Sequence, residues 1–437
     1  MEFKDKLVSS FLVFEDTMDV EASIHDIRSE AIKVFEQEGF PTRKQEAWKY
    51  TSLNSVLKYD YNVFTREEAA LEYRDIKRYT LSDLDTYKIV LIDGKYSSHL
   101  SQTTHDKIDV CLMSSVLAKP YYKPVIKDYF NRIAARDSLT SLNTAFSVEG
   151  AYIHIHKNII ADKPIEILHF STGKDHALLL QPRNLIVVDK NAQVQIIERH
   201  QSLGQNPVWT NSVTEIFADE NSNVDYYKIQ NDTEQVSLVD NTFIEQQRSS
   251  ICSVHTFSFG GNIVRNNLNF YQKGEGVDSI LNGITILEGK QHVDHNTLVH
   301  HSEPNSESHQ DYKGIFDEKS TGVFNGKIIV DQIAQKTNAF QSNNNILLSD
   351  KATINSKPQL EIFADDVKCS HGCTIGQLDD DALFYLRSRG IGEKEAKALL
   401  MYAFANNVLE TVRIPQLKKR INKLIAKKLG VNMGFDL

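Results

Sequence analysis

Between about residues 145 and 370 the sequence is a succession of short runs rich in Val, Ile, Phe and Tyr, broken by polar turns and carrying almost no helical apolar stripe. The middle of the chain is therefore all β. A loose repeat runs through it, in which a polar residue is followed five positions later by an apolar one: Asp189 to Val194, Asp219 to Val224, Gln246 to Ile251, Gln272 to Val277 and Ser349 to Ile354. The first four starts lie 30, 27 and 26 residues apart, about one coil of a β-solenoid with its loops, and the register degenerates afterwards. A β-sandwich gives similar short strands, so the pattern alone leaves the two architectures open.

The flanks read differently. Residues 20 to 38 form an amphipathic helix with Ile24, Ile27, Ala31, Val34 and Phe35 on one stripe and Gly39 placed to end it. After Gly376 the chain turns helical again: Leu383 to Arg389, a break at Gly390, then Ala396, Leu399, Leu400, Ala403, Phe404 and Val408 at helical spacing, with Pro415 opening a last helix. That helix carries six Lys and Arg around Leu417, Ile421, Leu424 and Ile425, which reads as the solvated face of a docked helix. The organisation is an N-terminal helical region over 1–75, a mixed connecting region over 76–144, a β core over 145–377 and a C-terminal helical domain over 378–437.

Composition excludes several classes of function. With 49 basic and 58 acidic residues the formal charge is -9, and a whole-chain nucleic-acid binder needs the opposite sign. The apolar stretch Phe11 to Phe14 is too short for a secretory signal or a membrane span, so the expected compartment is the cytosol. Four cysteines without a regular framework fit reducing conditions, with Cys111 and Cys252 as core residues in apolar surroundings. GVFNGKI from Gly322 has only three residues between its glycines and Ile328 where a P-loop needs Ser or Thr. GEGVDS at Gly274 lacks the third glycine of a dinucleotide fingerprint, and neither GxSxG nor HExxH occurs. No nucleotide site and no hydrolytic activity are expected of this chain.

Two stretches carry metal-ligand chemistry. In VKCSHGCTI the residues Cys369, His371 and Cys373 alternate, so a strand would place all three on one face at roughly 7 Å spacing, suited to presenting ligands on a surface rather than closing a cage. The second stretch, QHVDHNTLVHHSEPNSESHQ, holds His292, His295, His300, His301 and His309 among Asp294, Glu303 and Glu307. Its spacings match no closed tetrahedral site, and strand alternation sends His300 and His301 to opposite faces.

Several long segments resemble one family in the same order. PTRKQEAWKYTSL from Pro41, DYKGIFDEKSTGVFNGKIIV from Asp311, AQKTNAFQSNNNILLSDKA from Ala334, and DVKCSHG followed by ALFYLRSRGI are similar to the SufB/SufD family of the Suf iron–sulfur cluster assembly machinery. The resemblance decides the fold as a mostly β protein with a right-handed parallel β-helix core flanked by helices. His371, and the absence of any cysteine before Cys111, resemble the SufD branch rather than the SufB branch, which has an acidic residue at that position.

The resemblance implies a non-catalytic scaffold subunit. Its β-helix end would pair with a SufB-like paralogue, and its C-terminal helices, from about Leu378, would bind a SufC-like ATPase that carries the ATP hydrolysis. Cys369 and His371 would lie where a transient iron–sulfur cluster forms at the partner interface. Cys373 stands where SufD proteins usually carry alanine, and whether it adds a thiolate ligand is open. A homodimer is expected of the isolated chain. The alternatives are a self-associating structural solenoid without metal chemistry and a metal-dependent enzyme built on the histidine-rich stretch.

Overall fold

A computed structural model describes residues 3–16, 22–63, 71–174 and 176–431. The β core is a parallel β-solenoid of about eight turns, not a sandwich. The chain alternates between two long sheets. One runs through Tyr87–Ile92, Ile165–Ser171, Gln193–Ser202, Asn223–Gln230, Ile251–Ser258, Asp278–Leu287, Glu307–Phe316, Asn338–Leu347 and Lys368–Gly376. The other runs from Ala151–Ile155 through Arg183–Val188, Val208–Ala218, Val236–Gln246, Ile263–Gln272, His292–His301 and Thr321–Val330 to Thr353–Ile362. Coil-to-coil pairing is parallel throughout this path. Only the first end departs from it, where Ile108–Leu112 pairs antiparallel with Ala151–Ile155.

The coil repeat has a backbone cause. Asn191, Asn221, Ser249, Gly276, Asn305 and Lys336 all have positive φ, at intervals of 27 to 31 residues, and each sits in the turn leading from the second sheet back to the first. Asparagine tolerates this left-handed region, and its side chain then stacks from coil to coil. Asn191 donates to Asn158 at 2.7 Å and Asn221 to Asn191 at 2.8 Å. The first four sequence repeats bracket these turns. The fifth, Ser349 to Ile354, lies at the opposite corner between Asn338–Leu347 and Thr353–Ile362, which is why the register failed there.

Strand alternation sorts side chains between a lumen and two outer faces. The first coils fill the lumen with Ile153, Ile155, Ile186, Val194, Ile196 and Val224. Further along, Phe316 enters it, and Gly314 and Gly322 make the room: a Cβ on either would lie 2.4 or 2.3 Å from the Phe316 ring. Those are glycines of the DYKGIFDEKSTGVF segment.

Helices cover the outer faces. Helix Ala22–Glu38 ends at Gly39 with φ +66°, and it packs with Phe3–Glu15 and Ser138–Phe146 over Trp209, Val239 and Ile263. Positions 20 and 21 of the expected helix lie outside the described residues. At the other end of the chain, Glu393–Glu410 and Pro415–Lys428 dock Met401, Ala405, Leu417, Ile421 and Ile425 onto Tyr227, Phe257, Ile284 and Ile315. The basic residues of the last helix sit on its remaining sides, as the sequence indicated. No described helix is long and apolar enough to cross a membrane.

One buried ion pair ties an irregular segment to the sheet. Arg183 donates to Glu215, and both side chains are fully buried. Glu215 also accepts from the backbone N–H groups of Asn131, Ile133 and Ala134 at 2.8, 3.0 and 3.2 Å. Removing one partner of such a pair strands a buried charge. Glu215→Ala is therefore expected to destabilise the fold by about 3–5 kcal/mol in urea unfolding. An effect below about 1 kcal/mol, the level of a surface pair, would contradict this arrangement.

Several histidines are buried in neutral form. Burial pushes His255 and His295 down to about 4 and His200 and His301 to about 3. The unfolded chain takes up these protons near pH 6.5 and the folded chain does not, so this stability is complete above pH 6.5 and is lost as pH falls toward 4. Each histidine adds a slope of about 1.4 kcal/mol per pH unit in that window. Urea midpoints at pH 7, 6 and 5 should fall steeply for wild type and less steeply for His295→Gln; parallel slopes would show that His295 does not titrate this way.

Candidate functional site at the open end of the solenoid

Among the described residues no strand pairs beyond the last coil of the solenoid. Thr353–Ile362 and Lys368–Gly376 are the last strands of their sheets and each pairs on one side only. Two rows of backbone N–H and C=O groups therefore face outward, a template for another chain. Large apolar side chains stand around this end: Phe363 is 62% exposed, Ile375 52% and Phe340 40%.

Register places Cys369 beside Ala339, His371 beside Gln341 and Cys373 beside Asn343. Ala339, Gln341 and Asn343 are buried lumen residues, so all three candidate ligands share the lumen-facing side of the final strand. With no further coil beyond them, His371 and Cys373 are exposed and Cys369 is half-buried. Cys369 packs against Ile328, Val330, Ala334 and Ala364. Burial raises its thiol above the ordinary value, opposed by a hydrogen bond from the Ala339 backbone. Cys373 donates to Asn343 Oδ1 at 3.9 Å, an oxygen that also accepts from Ser356 at 2.9 Å and Asn345 at 2.8 Å.

The lumen beneath these residues is polar. Gln341 donates to Gln310 Oε1 at 3.3 Å, and that oxygen also accepts from Thr297 at 2.7 Å. In lumen positions where earlier coils carry Ile196, Tyr226, Val254 and Leu281, the last ones carry Gln310, Gln341 and His371.

The histidine-rich stretch does not converge. His295 and His301 point into the lumen, where they meet Thr285 at 2.8 Å and Ser308 at 2.9 Å. His292 and His300 point outward to Thr51 at 2.9 Å and Asp331 at 3.0 Å, so His300 and His301 do take opposite faces. Among the described residues these histidines form no group of three ligands with shared reach.

Sequence reasoning missed a charged cluster deep in the lumen. His169 and His200 stack at 4.3 Å and face Glu198, which contacts His169 at 2.9 Å, accepts from Asn184 at 2.9 Å and accepts from Tyr226. Lys228 lies 4.0 Å from Glu198 and bridges the lumen to Asp240 and Thr242. Burial alone would raise Glu198; the His169 hydrogen bond and the Lys228 charge outweigh it and hold the carboxyl below its usual range. With four partners already, Glu198 serves the fold. The alternation Glu198, His200 was legible, but the cross-lumen partners were not.

Two family models match the chain between residues 4 and 404. Residues 4–167 match the SufBD protein N-terminal region, and residues 169–404 match the family described as SUF system FeS cluster assembly, SufBD core domain. The chain is 31% identical to an iron–sulfur cluster assembly SufBD family protein of Synechocystis, over 88% of this chain and 87% of that one. It is 29% identical to the iron–sulfur cluster assembly protein SufD of Escherichia coli over 90% of each, and 25% identical to SufD of Bacillus subtilis over 93% of this chain and 94% of that one. With these matches running through both the helical N-terminal region and the solenoid whose open end presents Cys369 and His371, the chain belongs to the SufBD family of iron–sulfur cluster assembly proteins.

Proposed function

We propose that this chain is a cytosolic, non-catalytic scaffold subunit whose open solenoid end pairs with a SufB-like paralogue, and that a nascent iron–sulfur cluster assembles as cargo at that junction. The single observation that carries this reading is the open end itself: two unpaired strand edges, an apolar fringe and a row of soft ligands occupy the same surface. A paralogue with the same coil geometry supplies strands of matching length and spacing. Pairing would bury Phe340, Phe363 and Ile375 and enclose Cys369 and His371 together.

The chemistry suits a site that builds and then surrenders a cluster. Cys369, with its thiol raised by burial, stays protonated until a metal or a partner cation favours the thiolate. His371 offers an imidazole, a weaker donor than a thiolate, and two donors two residues apart on one strand leave most coordination positions of an ion or cluster unfilled. The partner would supply the remaining ligands, so that separation of the subunits releases the product.

A SufC-like ATPase would dock on the C-terminal helices. Helix Asp380–Ser388 buries none of its own residues, and Phe384 and Tyr385 are 73% and 57% exposed. Nucleotide-driven movement of that partner would then act on the solenoid end only a few residues upstream. In isolation the same open end would support self-pairing.

The deciding experiment is anaerobic cluster reconstitution on the co-expressed three-component complex, comparing wild type with His371→Ala at matched stoichiometry. Visible absorbance and bound iron are expected to fall several-fold in the variant while the complex stays intact; an unchanged cluster yield would place the chemistry on the paralogue alone. A second test reads the interface directly. Iodoacetamide should label Cys373 fastest and Cys369 more slowly in the chain diluted to the monomer, leave buried Cys111 and Cys252 unlabelled, and lose the first two sites when the paralogue is bound. Unchanged labelling of Cys373 in the complex would exclude this end as the interface.

A further inference from the structure

At the opposite end of the solenoid, where antiparallel strand Ile108–Leu112 caps the first coil, a second set of metal-type ligands stands on the outer face. His154 and His156 are two apart on Ala151–Ile155 and its extension, so they share a face, and register sets Asp109 directly beside His154. One ligand atom from each of Asp109, His154 and His156 can be chosen so that all lie within 4.8 Å of one another. His156 Nε2 is 3.4 Å from Asp109 Oδ2, and His154 Nε2 is 3.1 Å from Asp189 Oδ1 at the end of the neighbouring parallel strand. The two imidazole centroids are 4.3 Å apart.

These separations are informative in size. A charge-assisted hydrogen bond between imidazolium and carboxylate contracts to about 2.7–2.9 Å. Ligands around a tetrahedral ion with bonds of about 2.0–2.1 Å lie roughly 3.3 Å apart, close to the 3.4 Å between His156 Nε2 and Asp109 Oδ2. His154 is also oriented as metal-binding histidines are. Its Nδ1 sits 3.1 Å from the hydroxyl of buried Tyr152, and with the proton on Nδ1 it donates to that oxygen and leaves an Nε2 lone pair on the side where Asp189 lies 3.1 Å away. Tyr152 is itself fixed edge-to-face against Tyr122 at 5.5 Å. The site is within reach of solvent, with the His156 side chain 38% exposed and Asp189 29%.

We propose that Asp109, His154 and His156 bind one divalent first-row transition metal of the zinc type, with Asp189 beside His154 and water completing the coordination. Two imidazoles and a carboxylate are intermediate donors that favour such ions over magnesium or calcium. The ion would clip the antiparallel cap strand onto the first coil. This site is independent of the open end and of the partner reading.

The test is a titration of the full-length, metal-free chain with Co(II) under anaerobic conditions at neutral pH, followed by its visible d–d absorption and by displacement with Zn(II). One equivalent is expected, with affinity weakened at least tenfold by His156→Ala and by Asp109→Asn, an isosteric change that preserves packing. The triple variant Cys369→Ser, His371→Ala, Cys373→Ser should keep that equivalent. Retention of the signal in His156→Ala, its loss in the triple variant, or absence of saturable binding would each overturn the proposal and leave these residues as simple histidine–carboxylate pairs.

Discussion

The structure depends on one requirement: each coil of a parallel solenoid satisfies its backbone hydrogen bonds only through the coils on either side. Eight turns solve this for one another, and the two ends need separate solutions. At the first end the chain reverses direction, and Lys95–Tyr96, Thr104–His105 and Ile108–Leu112 close the sheets with antiparallel pairs. At the last end no such pairing occurs among the described residues, and the chain leaves Lys368–Gly376 for the helices that fold back over the outer face. The two ends therefore differ in whether their backbone hydrogen bonds are closed within the described chain, and the proposed pairing rests on that difference.

The lumen reflects the same asymmetry. Toward the capped end the column through Ile153, Ile186, Ile196 and Val224 is apolar and its burial favours stacking, while the Glu198 cluster occupies neighbouring lumen positions. Toward the open end Gln310, Gln341, Asn343 and Asn345 take over, and Gln310 Nε2 and Gln341 Oε1 have no protein partner. Buried amides of this kind stabilise less than the apolar residues they replace. Their placement directly beneath Cys369, His371 and Cys373 makes sense if the surface above them handles charge rather than merely continuing the stack.

How much of this was legible follows from the range of each interaction. Helix Ala22–Glu38 and its stop at Gly39 could be read because the apolar stripe and the left-handed glycine are local. The coil period could be read because Asn191 and Asn221 recur in the turns, but only four of five matches belonged to the same corner. The alternation of Cys369, His371 and Cys373 survived intact, since strand geometry alone determines it. Arg183 with Glu215, Lys228 with Asp240, and Glu198 with its partners were invisible because each pair is joined by sheet register or across the lumen. The His154, His156 alternation was visible in AYIHIHK; Asp109, brought beside it by an antiparallel cap strand more than forty residues earlier in the chain, was not.

The two ligand sets differ in a way that physical spacing explains. At the open end the donors follow one edge strand at roughly 7 Å intervals, so Cys369 and His371 leave most of the coordination positions of an ion or cluster to donors from another chain. At the capped end Asp109, His154 and His156 come from two paired strands, with ligand atoms all within 4.8 Å of one another and the His156–Asp109 pair at 3.4 Å, near the edge of a coordination tetrahedron. Three donors gathered from two paired strands can close around an ion; a short row of donors on a free edge strand leaves coordination positions for something that arrives. A resident metal therefore belongs with the first geometry and a cargo assembled between subunits with the second. An open end that instead held an ion tightly in the isolated chain would need donors that the final strand does not bring together.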